Sequence, residues 1–187
     1  TNPDSGGAGK HRGGNGITIA YELLESGEVS IHDDRWLTYP WGVNGGEPGM
    51  RSTKRLVRKN GTEENIPSKC DRISVEPGDI LYFNTWGGGG WGDPLKRDAA
   101  LVALDVRRGL VTEAGARRYG VVIKGGAVDS AATEALRVQM AAQRGDTKLF
   151  DRGFSSIAEL KERALRETGF QPPQEPVFRS NVRVAAE

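Results

Sequence analysis

One cysteine, Cys70, leaves the 187-residue chain without the means for an internal disulfide. No charge of one sign prevails: 26 Lys and Arg stand against 25 Asp and Glu, a net charge of +1. That balance excludes a strongly basic nucleic-acid binder and an acidic tail, so no nucleic-acid partner is expected. Long hydrophobic runs are missing too. Stretches such as Gly120 to Ile123 are far short of a membrane span, and no signal-peptide pattern is visible, so no membrane partner and a cytoplasmic location are expected. Hydrophobic residues reach only 36%, and mean hydropathy is −0.52. The chain is still long enough to bury a core without disulfides or metals, as one domain or one plus an appendage. It begins at Thr1 rather than Met, and we expect it to be the tail of a longer polypeptide.

What is present is glycine, at 26 positions, 18 of them before residue 93 together with all four Trp. The front half reads as strands joined by tight turns. Ile17, Ile19, Tyr21 and Leu23 alternate with polar residues over Gly16 to Leu24, as do Val29 and Ile31 over Glu28 to His32. With Ser26-Gly27 between them, these two strands are expected to form a hairpin. Asn60-Gly61 predicts a second hairpin through a type I′ turn. Glu76-Pro77-Gly78-Asp79 predicts a type II turn between Ile73–Val75 and Ile80–Phe83.

Beyond residue 93 the period changes. Asp98, Thr112, Asp129 and Ser156 stand as N-caps, the last in a Ser-x-x-Glu capping box with Glu159. Gly109 and Gly169 read as helix stops. Leu101, Val102, Leu104, Asp105 and Val106 are expected on one buried stripe, and Gln171 to Pro176 is expected to be extended. The predicted fold class is α+β: a glycine-rich antiparallel β half followed by a helical C-terminal half. The boundaries place one unit at 1–123 (strands 16–92, helices 98–119) and a helical extension at 124–187.

Several strings can hold chemistry. Asp4 to Gly16 has six glycines among thirteen residues with Lys10, His11 and Arg12. Backbone N–H groups there can cradle an anion, or the glycines can mark a crossing where backbones touch. Gly13 and Gly14, with Gly88 and Gly89 from the Gly87–Gly90 run, are the candidate backbone contacts to substrate. At the end of the second strand, His32 and Asp34 share a face and Asp33 points away. His32 and Asp34 are the candidate acid–base pair, and Arg35 is the candidate fork for a carboxylate or phosphoryl group. The alternative is that Asp34 and Arg35 brace the loop Trp36–Gly49. Two such ligands do not make a metal site, and none is expected within the chain. Lys69 can lower the pKa of Cys70, yet no partner His is identifiable, which favours a structural thiol. Arg51, Lys54, Arg55, Arg58 and Lys59 read as a solvated face paired with Glu63 and Glu64.

Taken together, Asp4 to Gly16, Asp34-Arg35 with Pro40-Trp41-Gly42 and Gly45-Gly46, Pro67-Ser68-Lys69, Gly87 to Pro94 and Asp105 to Val122 resemble the hydantoinase B/oxoprolinase family, in preserved order over about residues 3 to 123. The family also includes large subunits of acetone and acetophenone carboxylases. The resemblance implies the C-terminal third of a B-type subunit, whose partners are an A-type subunit that binds ATP, the remainder of the B-type subunit, and a small-molecule substrate. It implies that a cyclic amide, or a ketone enolate, is activated by phosphorylation and then hydrolysed or carboxylated. A divalent metal is expected in the amino-terminal region that this sequence lacks, so the isolated chain is expected to be inactive. A non-catalytic assembly role is the alternative from another class, because the helices after residue 124 offer amphipathic faces beyond what the β half needs.

Overall fold

The computed structural model describes residues 1–173. The front half contains β1 (Thr18–Glu22), β2 (Gly27–His32), β3 (Gly42–Val43), β4 (Thr53–Val57), β5 (Glu63–Asn65), β6 (Lys69–Val75) and β7 (Ile80–Asn84). Then come α1 (Ala99–Arg107), α2 (Glu113–Ala116), the short pair β8 (Ile123–Lys124) and β9 (Ala127–Val128), α3 (Ser130–Gln143), β10 (Phe150–Asp151) and α4 (Ile157–Thr168). All strand pairs are antiparallel, and the fold is α+β as expected. The extension after residue 124 is not purely helical, since β8–β9 and β10 interrupt it; residues 174–176 of the expected extended stretch lie outside the described residues.

β1 and β2 do not pair with each other, contrary to the expected hairpin. The four-stranded sheet runs β1-β7-β4-β5, and β2 pairs instead with β6. The cause is the turn at Glu76–Asp79. Its Gly78 N–H donates to Leu23 O and Leu23 N–H donates to Asp79 O, so the end of β1 is held at the base of β7 while β2 departs to the other sheet. That turn has φ +90° at Gly78 and a bond from Asp79 N–H to Glu76 O, as type II requires. The β4–β5 hairpin forms where Asn60-Gly61 predicts it, but not through a type I′ turn. Of the two residues only Gly61 has positive φ (+86°), and Arg58 N–H bonds to Thr62 O, which makes a three-residue loop.

Leu56 and Leu81 face each other across β4 and β7, and the β2–β6 pair closes over them with Ile31 and Val75. A second core of Ala8, Val102, Val111, Ala116, Tyr119 and Val121 joins the first glycine string to the helices. Within α1, Val102, Ala103 and Asp105 are buried, whereas Leu101 is 46% exposed and not part of the stripe. Asp105 is tolerated inside because Arg12 and Arg97 both donate to its Oδ2, at 3.3 and 2.9 Å. Asp98, Thr112, Asp129 and Ser156 each accept a backbone N–H as N-caps. At the end of α1, Gly109 N–H bonds to Val106 O and Leu110 N–H to Asp105 O, the paired bonds of a Schellman stop.

The glycine strings form a seam between these two cores. Gly7 donates to Gly88 O, Gly88 to Gly14 O, Gly90 to Glu47 O and Val43 to Gly90 O. A Cβ on Gly13 would overlap the Gly88 carbonyl, and one on Gly89 the Trp41 carbonyl, so only hydrogen fits at those two positions.

Candidate functional site

β2 ends at His32, and the sequence after it enters a turn in which Arg35 adopts φ +58°. The three acidic or basic candidates there have different partners. His32 Nε2 lies 2.9 Å from Asp71 Oδ1, and Asp34 Oδ1 lies 3.1 Å from Lys69 Nζ. Their side chains are 63% and 83% exposed, so each is an open surface pair, and the two are not brought together. The hydrogen bond from His32 holds the Asp71 carboxyl below its ordinary pKa. Arg35 lies over the Trp41 ring at 6.0 Å, with Arg152 over the same ring at 5.7 Å. Arg35 O also accepts from Ser52 N–H, so the turn is tied to β4.

The residue between them is the buried one. Asp33 points away from the exposed His32 and Asp34, as expected, and into the protein, where it forms an ion pair with Lys54, whose side chain is wholly buried. Lys54 Nζ also donates to Ser68 Oγ at 2.7 Å and to Ser52 Oγ at 3.1 Å, and Ser52 Oγ donates to Asp33 Oδ2. Asp33 N–H donates to Ser68 O. Burial pulls the Lys54 ammonium below its ordinary pKa, and Asp33 acts in the opposite direction. The expectation of a solvated basic face therefore fails for Lys54 and Arg51, both buried, while Arg55 and Arg58 do pair with Glu63 and Glu64. Strand alternation carries the missed signal: Lys54 and Leu56 are two apart in β4 and share the core face.

Above Lys54 is a cleft of about 170 Å³ between β4, the loop Ile66–Ser68 and the end of α4. Ser52, Lys54 and Ser68 form its floor; Trp36, Ile66 and Phe170 are its apolar walls. α4 is fastened there by Glu167, whose Oε2 accepts from Tyr39 Oη at 2.7 Å and from Arg51, and whose Oε1 accepts from Arg163 Nε at 3.2 Å. Burial works against the Glu167 charge, but Arg51 and Tyr39 outweigh it and hold the carboxyl below its ordinary pKa. Burial and the bond to Glu167 push the Tyr39 phenol up.

At the glycine seam, Gly13 N–H donates to Gly7 O and Gly88 N–H to Gly14 O. The N–H groups of Gly14 and Gly89 donate to no partner among the described residues, and a Cβ on Gly14 would meet nothing within 4 Å. Arg12 is turned inward to Asp105, Asn15 and the Gly13 carbonyl. Burial pushes the Cys70 thiol up, in keeping with a structural thiol rather than one lowered by Lys69, and its Sγ lies 3.1 Å from Pro67 O. Among the described residues no three His, Cys, Asp or Glu side chains are placed to hold a metal ion, and no helix is long and apolar enough to cross a membrane.

The sequence profile of the Hydantoinase B/oxoprolinase family matches residues 1–94. An uncharacterized protein, MJ0963, of Methanocaldococcus jannaschii is 44% identical over 104 residues, 56% of this chain and 18% of that protein. The caprolactamase subunit beta of Pseudomonas jessenii is 39% identical over 140 residues, 72% of this chain and 24% of the subunit. The crystal structure of the ATP-dependent caprolactamase from the same organism superposes with a TM-score of 0.63 at 36% identity, covering 73% of this chain and 24% of that one. The chain thus spans no more than a quarter of the length of these relatives.

Proposed function

Because the chain belongs to the hydantoinase B/oxoprolinase family, we propose that it is the C-terminal segment of a B-type subunit that takes part in ATP-dependent hydrolysis of a cyclic amide. The observation that carries this is the match to the caprolactamase beta subunit over 140 residues, which runs well past the 94 residues of the family profile. The A-type partner would bind ATP, and a divalent metal would be held by the remainder of the B-type subunit.

In that assembly His32, Asp34 and Arg35 complete a site built mostly by the rest of the subunit. Asp34 and Arg35 lie on the turn that follows His32 at the end of β2, and the exposure of His32 and Asp34 leaves that edge open to a neighbour. The free N–H groups of Gly14 and Gly89 supply backbone donors at the seam, while Gly13 and Gly88 hold that seam in shape.

The test is reconstitution of the B-type subunit carrying this segment with its A-type partner. ATP-dependent ring opening of caprolactam, 5-oxoproline or hydantoin is expected, with none from the 187-residue chain alone. Turnover of acetone with bicarbonate instead would assign ketone carboxylation, and a complex inert toward every cyclic amide overturns the proposal.

A further inference from the structure

The cleft above Lys54 is used by none of the chemistry above. We propose that it binds a small uncharged cyclic amide; the choice of ligand class rests on the function proposed in the preceding section. Lys54 donates to Asp33, Ser52 and Ser68, and its charge is met by the Asp33 carboxylate. The floor therefore presents no net charge to a ligand. It presents a hydroxyl: Ser68 Oγ accepts from Lys54 at 2.7 Å, and its own O–H donates to no acceptor among the described residues. An ammonium behind a hydroxyl polarises it and strengthens the bond it can give to a carbonyl oxygen. Asn65 lines the same cleft, and its side-chain amide has no partner among the described residues. It offers a donor and an acceptor side by side, which is what the carbonyl and N–H of a ring amide require.

Trp36, Ile66 and Phe170 suit the methylenes of such a ring. The volume of about 170 Å³ lies below that of drug-sized sites and limits the ligand to one small ring. A carboxylate on the ring would have to be desolvated beside Glu167, which lines the cleft, so 5-oxoproline should bind less well than caprolactam.

Caprolactam titrated into the 187-residue chain, followed by tryptophan fluorescence and ligand-observed NMR, should saturate with a Kd on the order of 1 mM. Ser68→Ala should weaken binding about tenfold. Asn65→Ala, at an exposed position whose side chain makes no hydrogen bond, should weaken it several-fold without altering the melt, and it decides the matter if Ser68→Ala does not fold. Absence of saturation by tens of millimolar, or equal affinity in the folded variants, overturns the proposal. A reconstituted enzyme that opens lactams while the chain fails to bind them retires the cleft alone. A chain that binds caprolactam in an enzyme that opens no cyclic amide retires the function and leaves the cleft.

Discussion

Asp93 and Arg144, 51 positions apart, form a two-pronged ion pair, with Nη2 2.7 Å from Oδ2 and Nη1 on Oδ1. Asp93 also caps the turn after the glycine run by accepting from Leu95 N–H. The pair fastens the end of α3, and with it the strap that leads to β10, onto the glycine-rich half. The bond from Arg144 is the main reason the Asp93 carboxyl titrates below its ordinary range.

Arg144→Ala should loosen that strap while leaving the cap intact, and Asp93→Ala should remove both. Hydrogen exchange at residues 144–151 is expected to rise in both variants, and at residues 94–97 only in Asp93→Ala. Equal protection in wild type and Arg144→Ala would show that the strap is held by β10 and by the bonds from Asn44 and Gly45 to Leu149 and Lys148.

Lys54→Met leaves Asp33 buried without its counter-charge. The expected loss is about 3–5 kcal/mol in denaturant unfolding, with part of it recovered in Asp33→Asn/Lys54→Met. A single variant as stable as wild type would mean that water reaches the pair.

Gly89→Ala puts a methyl into the Trp41 carbonyl and should fall at the upper end of about 1–3 kcal/mol. Gly14→Ala points its methyl into open space and should stay within about 0.5 kcal/mol. Thermal melts of the two variants compare them directly, and equal shifts would refute a close-packed seam.

Glu167 has a folded-state pKa below its ordinary value. Its contribution is therefore complete above the ordinary carboxylate range and is lost as pH falls through that range toward the lowered value. Melting temperature should drop on acidification more steeply in wild type than in Glu167→Gln. Parallel pH profiles would place the acid sensitivity elsewhere.

In the assembled enzyme, Arg35→Lys should fold normally yet lose much of kcat/KM, since an ammonium keeps the charge without the planar fork. Wild-type kinetics in the folded variant would confine Arg35 to bracing Trp41.

Local signals in the sequence translated well. The N-caps at Asp98, Thr112, Asp129 and Ser156, the stop at Gly109 and the type II turn at Pro77-Gly78 each depend on a few adjacent residues, and all are present. The β1–β2 hairpin failed because Ser26-Gly27 competes with a partner some fifty residues away that no local pattern reveals. Asp33 and Lys54 were hidden for another reason. Each is charged and sits among charged neighbours, and only the register of β4 and the turn after β2 show that these two face each other inside. The glycines were legible as a crossing, but which strings cross was not.

The glycine seam has a consequence for the order of folding. Its bonds join residues 5–14, 43–50 and 87–92, so the string Ser5–Gly16 gains its full set of neighbours only after the run at Gly87–Gly90 exists. A nascent chain ending near Asn84 has β1 to β7 and can bond Ser5 and Ala8 to Met50 and Glu47, but it lacks the Gly87–Gly90 partners of Gly7, Gly14 and Glu47, and the loop that must close to reach them is long. Vectorial synthesis thus leaves the Ser5–Gly16 string only partly bonded, and the seam is completed late, when the Gly87–Gly90 run follows.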